Sequence, residues 1–208
     1  MNNFRFLNFN NILNKKIYDE TPPRVFCGYK ILKNASQYLT EEALDIFSKL
    51  KMEPYVCILF QGHHSNEAIR TKKDALIHSD IYFEDGQWKD WYYGINLELY
   101  PATSQFYWWD TKNINKIYPS ISSSKIPEFF YLNGIHYDSH YNQIRDRSNE
   151  FKVLEMAEID GTKPILVRTD IAHSISYMSK TDKRAAVSLR FKQNRFSSWQ
   201  EAYETIKI

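Results

Sequence analysis

Between residues 73 and 192 the chain runs through a series of short strand-like segments with no helical pattern between them, and this succession limits the fold most strongly. Runs at 75–83, 91–100, 105–109, 151–159, 164–169, 172–178 and 184–192 combine β-branched and aromatic residues and are bounded by polar or turn-forming sequence. Parallel neighbours need crossovers of a dozen or more residues, usually helical, and no such crossovers are legible here. The pattern therefore predicts an antiparallel sandwich or barrel of jelly-roll type rather than a βαβ sheet.

An α/β flank precedes this region. Residues 1–22 are Asn-rich and end at Pro22-Pro23, an entry segment unfavourable to helix. Arg24 to Leu32 reads as a strand. Thr40 is a candidate N-cap, with Glu41 and Glu42 in the first turn and Ala43, Leu44, Ile46, Phe47 and Leu50 forming an apolar face. Pro54 to Gln61 is a further short strand. At the other end, Ser197-Ser198-Trp199-Gln200-Glu201 matches a capping box, followed by the stripe Trp199, Ala202, Tyr203 and Ile206. The polar, Tyr-rich stretch 111–150 reads as a lid-like insertion, because long irregular segments inside a compact domain are usually functional or mobile. The expected organisation is one domain over 1–208: an α/β flank over 1–72, a β core over 73–192 and a C-terminal helix over 193–208.

Charge and cysteine content remove other classes. Net charge is +2 from 27 basic and 25 acidic residues, which demands neither a nucleic-acid nor a membrane partner. Cys27 and Cys57 lack metal-type spacing and lie in apolar runs, so both read as small buried hydrophobes. The N-terminus has no continuous apolar stretch, and no segment reaches membrane-spanning length, so a reduced, cytoplasmic location is expected.

Candidate chemistry gathers on His78-Ser79-Asp80 and on His173, 95 residues beyond His78. In an extended strand, residues i and i+2 share a face, so His78 and Asp80 can reach one ion while Ser79 points away. Two imidazoles and one carboxylate form the set used by non-haem Fe(II) oxygenases, with positions left open. A second tripeptide, His136-Tyr137-Asp138, competes for the role. It follows the turn signal Asn133-Gly134 and lies in the irregular insertion, whereas His78 and Asp80 are framed by the apolar run Ala75–Phe83. An imidazole and a carboxylate inside apolar sequence need a partner, and a metal supplies one. In Arg184-Ala185-Ala186-Val187-Ser188-Leu189-Arg190, alternation puts Arg184, Ala186, Ser188 and Arg190 on one face. Two guanidiniums and a hydroxyl there suit a carboxylate-binding wall; an exposed edge strand is the plainer alternative.

The order His-X-Asp, distal His, then Arg-X-X-X-Ser eleven residues after it resembles the Fe(II)/2-oxoglutarate-dependent oxygenase superfamily. Thr169–Ser174 and Arg184–Phe191 are most similar to its small phage and bacterial members, and Trp91–Leu97 resembles the strand following their first ligand pair. What the resemblance implies is a mainly β fold with flanking helices around a double-stranded β-helix, a jelly-roll core of cupin type. Fe(II) would be held by His78, Asp80 and His173. The cosubstrate 2-oxoglutarate would have its C5 carboxylate clamped by Arg184 and Ser188, with Asn96 and Arg190 as further contacts. Oxygen is then consumed, 2-oxoglutarate is decarboxylated to succinate, and a C–H bond is hydroxylated, with ascorbate as reductant. Tyr93 and Trp108 are candidate substrate-wall residues. Arg-X-X-X-Ser resembles the prolyl hydroxylase type, which points to an amino acid or peptide as substrate of a monomer or homodimer. A nucleotide or nucleic-acid oxygenase, a cupin-type metal protein without 2-oxoglutarate and a non-catalytic jelly-roll module are the alternatives. For a phage-encoded chain the location would be the host cytoplasm.

Overall fold

Alternating apolar positions in the strands sort the side chains of the sheets into two faces, and helices cover one of them. A computed structural model describes residues 2–20, 28–63, 77–84, 87–99, 103–111, 131–132, 151–159, 161–178, 183–193 and 195–208. Its strands are β1 (Phe4–Phe6), β2 (Gly28–Lys33), β3 (Pro54–His63), β4 (Ile81–Glu84), β5 (Gln87–Asp90), β6 (Tyr93–Glu98), β7 (Thr103–Asp110), β8 (Tyr131–Leu132), β9 (Lys152–Ile159), β10 (Ile165–Arg168), β11 (His173–Met178) and β12 (Lys183–Phe191). Its α-helices are α1 (Lys16–Asp19), α2 (Glu41–Lys49) and α3 (Trp199–Thr205), with a 3-10 turn at Ala35–Tyr38. The protein is mainly β. Among the described residues none of the helices is long and apolar enough to cross a membrane.

All described pairings are antiparallel. The largest sheet has the order β1-β10-β6-β12-β3-β2, a second has β11-β7-β9, and a third has β5-β4-β8. The pairing is nested. β3 pairs with β12, His78 bridges to His173 at the start of β11, β6 pairs with β10, and β7 pairs with β9. Successive pairs alternate between the first and second sheets.

On one face of the large sheet Tyr93, Ile95, Leu97, Val187, Leu189 and Phe191 join Cys57 and Leu59 in the main apolar cluster. Helices α2 and α3 close it with Ala43, Phe47, Trp199 and Ala202. Phe47 meets Phe191 edge-on at 4.9 Å between centroids. The helix α2 starts where expected: Thr40 Oγ1 accepts the Ala43 N–H at 3.1 Å, and Glu41 and Glu42 sit at the positive end of the helix dipole. At α3 the cap is Ser198, whose Oγ accepts the Glu201 N–H at 3.3 Å. The Glu201 carboxylate returns to the Ser197 N–H at 2.9 Å, one residue earlier than a capping box requires.

The opposite face carries Gly94, Asn96, Ser188 and Arg190, flanked by apolar Val56, Ile58 and Trp91 on one side and Ile165 and Val167 on the other. Phe106 and Trp108 of the second sheet pack onto Ile165 and Val167. β12 lies between β3 and β6, so the edge-strand alternative for the Arg184–Arg190 run is excluded.

Three local expectations change. The segment 1–22 contributes β1, paired to β10, as well as the short helix α1. His78 and Asp80 do not lie inside a regular strand: His78 forms a single bridge, and β4 begins only at Ile81. β5 was not anticipated, although Glu84 pairs with Gln87 across Asp85-Gly86, a two-residue sequence strongly favouring hairpins. Of the lid-like insertion only Thr111 and β8 are described, the latter pairing with Ile81 and Tyr82. Cys27, His136 and Asp138 lie outside the described residues. So does the side chain of Arg184, whose backbone is in register with Gly62.

Candidate metal centre

Two backbone hydrogen bonds bring the two candidate histidines together. The His78 N–H donates to the His173 carbonyl at 2.9 Å and the His173 N–H returns to the His78 carbonyl at 2.7 Å. This places the imidazoles 4.4 Å apart between centroids. Asp80 is set by its own main chain, its N–H donating to Thr169 O at 2.8 Å and its carbonyl accepting from the Trp91 N–H at 3.0 Å. Donor atoms of His78, Asp80 and His173 then lie within 4.8 Å of one another. Asp80 Oδ1 is 3.7 Å from His78 Nε2 and 3.9 Å from His173 Nε2. These separations are too long for direct hydrogen bonds and leave room for an ion between the three groups.

The donor chemistry fits a divalent metal. His173 Nδ1 lies 2.9 Å from the Ile171 carbonyl, which can only accept, so Nδ1 carries the proton and Nε2 keeps its lone pair. Burial, reinforced by the neighbouring His78 ring, pushes His173 down to about 3, so it is neutral at pH 7 as a ligand must be. Phe106 stacks on the same ring at 5.0 Å and 16°, restricting its rotation. Asp80 is fully buried and ion-paired with Arg190, whose Nη2 reaches Oδ2 at 2.5 Å. Arg190 Nη1 also donates to Thr169 Oγ1 at 3.0 Å, and that hydroxyl donates to the Trp91 carbonyl at 2.7 Å.

The candidate cosubstrate residues divide. Asn96 and Ser188 are cross-strand partners, with the Ser188 hydroxyl donating to Asn96 Oδ1 at 2.5 Å. Arg190 lies two positions along from Ser188, and its guanidinium is engaged by Asp80 and Thr169 instead of standing open to a ligand. The structure thus assigns it different contacts from those the sequence suggests.

Tyr93 and Trp108, the candidate substrate-wall residues, are both buried. Tyr93 points into the main core on the opposite sheet face, between Phe191 and Phe196. Trp108 is fully buried, stacks on Phe4, and gives its indole N–H to the Arg168 carbonyl at 2.9 Å. Strand parity explains Tyr93, since it is one residue from Gly94 and Asn96 and so must face away from them. The Tyr93 hydroxyl is buried and has no hydrogen-bond partner among the described residues. Tyr93→Phe is therefore expected to raise stability by about 0.5–1 kcal/mol in urea unfolding, with metal binding unchanged, because a buried unpaired hydroxyl is a net cost. A loss of function without loss of stability would restore a substrate role.

Sequence reading missed Thr169, Ile171 and Gly94. The first two act through a hydroxyl and a carbonyl that carry no motif. Gly94 did leave a signal, since an isolated glycine inside a strand often marks a close approach of another group. Comparison with family models, with curated proteins and with solved structures finds no match to this chain.

Proposed function

We propose that the protein is a non-haem Fe(II)/2-oxoglutarate-dependent oxygenase that hydroxylates a C–H bond of an amino acid or peptide. The observation that carries this reading is the convergence of His78, Asp80 and His173 from two distant segments onto one buried point. The strand order is a second support. First-with-last nesting, alternating between two sheets, is what results when a long hairpin is rolled up, and the proposed core is accordingly a jelly roll, the double-stranded β-helix.

Fe(II), when bound, supplies oxygen activation coupled to decarboxylation of 2-oxoglutarate to succinate. The chain supplies orientation and charge. Ile171 and Phe106 fix the ring of His173, and Asp80 is fixed by Thr169 and Arg190. Because Arg190 already balances the Asp80 carboxylate, a divalent ion keeps its full charge for an incoming anion, which favours a dicarboxylate over a neutral ligand. The Ser188–Asn96 pair leaves the Asn96 amide N–H groups as donors to a carboxylate. Arg184, four positions before Ser188 in β12, is the proposed clamp for the distal carboxylate. The Arg-X-X-X-Ser spacing, as in the prolyl hydroxylase type, supports the amino-acid or peptide substrate.

Purified protein with Fe(II), ascorbate and 2-oxoglutarate should release succinate slowly without a prime substrate, and omission of either the metal or 2-oxoglutarate should stop it. Screening amino acids, peptides and nucleotides for stimulated release then identifies the substrate class. Iron uptake without 2-oxoglutarate binding would instead favour the cupin-type metal protein. Failure to bind either would eliminate the proposal.

A further inference from the structure

The two oxygens of Asp80 have different surroundings. Oδ1 faces the Nε2 atoms of both histidines, at 3.7 and 3.9 Å, while Oδ2 receives Arg190 Nη2 at 2.5 Å. We propose that Arg190 is a positioning residue for the metal ligand Asp80 and not a contact to the cosubstrate. It holds Oδ2 aside so that the carboxylate offers Oδ1 alone to an ion. The inference rests on the metal centre proposed above and adds to it the agent that sets its geometry.

Three features of the fold serve this one contact. Thr169 ties the ligand and its partner to a single residue: its carbonyl takes the Asp80 N–H at 2.8 Å and its hydroxyl takes Arg190 Nη1 at 3.0 Å. Gly94 clears the path of the guanidinium. A Cβ at that position would come within 2.8 Å of Nη1 and 2.9 Å of Cζ, so a larger residue in β6 would displace the head of Arg190. The Trp91 ring lies beside the guanidinium, 5.7 Å from Cζ, and its own N–H is fixed on the Phe191 carbonyl at 3.2 Å.

The residue type suits the task. A planar fork serves a carboxylate and a hydroxyl at once and stays charged when enclosed, which an ammonium group does less well. Before an ion arrives, the same contact compensates a carboxylate that is fully buried and would otherwise be costly to keep ionised.

The test is metal affinity with no 2-oxoglutarate present. Mn(II) is titrated into the wild type, Arg190→Lys and Gly94→Ala, and the Co(II)-loaded forms are compared by visible absorption. Both variants should bind Mn(II) about 10–100-fold more weakly, the loss typical of an outer-shell partner. Their Co(II) spectra should also change, because Asp80 is released to offer both oxygens. Gly94→Ala keeps every charge and moves only the guanidinium, so it decides the matter even where Arg190→Lys fails to fold. Folded variants whose Mn(II) affinity stays within about twofold of wild type overturn the inference, and a raised 2-oxoglutarate dissociation constant alone would make Arg190 a cosubstrate contact. A wild type that takes up neither ion overturns the metal centre itself and this inference with it.

Discussion

Replacing His78 by alanine is expected to abolish Fe(II) binding, whereas His136→Ala should leave it intact. Anaerobic Fe(II) titration followed by tryptophan fluorescence measures both. The sequence offers two His-X-Asp tripeptides, and spacing alone treats them alike. What separates them is His173: its main chain is bonded to that of His78 in both directions, and its Nε2 faces the same Asp80 oxygen as His78 Nε2. Loss of His78 removes one of three donors, so the fall should exceed the roughly 10–100-fold loss that an outer-shell change produces. The reverse outcome would move the ion to His136 and Asp138 and end the present assignment.

The second large effect concerns Arg184. Arg184→Ala should raise the 2-oxoglutarate concentration for half-maximal succinate release by about 30-fold or more. Truncating one side of an enclosed charge pair costs about 2–5 kcal/mol, and each 1.4 kcal/mol is about tenfold in affinity. The rate at saturation should fall much less, as expected for a contact that would hold the distal carboxylate equally before and during the proposed reaction. Arg184→Lys should recover part of the affinity, because a point charge replaces a fork. An unchanged 2-oxoglutarate requirement would mean that the anion is held elsewhere.

Much of this was legible from residue order because strands impose a simple rule. The parity of Ser188 and Arg190 against Val187, Leu189 and Phe191 is a property of any strand, and the structure separates them as that rule requires. The cap at Thr40 was equally local, being one hydroxyl three residues before one N–H. Other placements are not legible locally. Tyr93 and Trp108 are candidates for a substrate wall by residue type, but residue type does not say which face of a sheet is lined by helices and which by a second sheet, and both side chains lie in buried clusters. For Arg190 the missing information was a partner 110 residues away; no local pattern announces that its guanidinium meets Asp80. Pairing across such distances is decided by strand order, and strand order depends on how the whole chain rolls up.

The reciprocal bridge between His78 and His173 is made only of main-chain atoms. Any two residues other than proline could close the chain at that point, so the closure does not depend on imidazole. Position 78, whose side chain is partly exposed, can therefore change its residue without breaking the junction, whereas a change at buried position 173 must also fill the space beside Phe106. Main-chain closure and the capacity to hold an ion are thus separate properties of these two positions, and a substitution can remove the second while sparing the first.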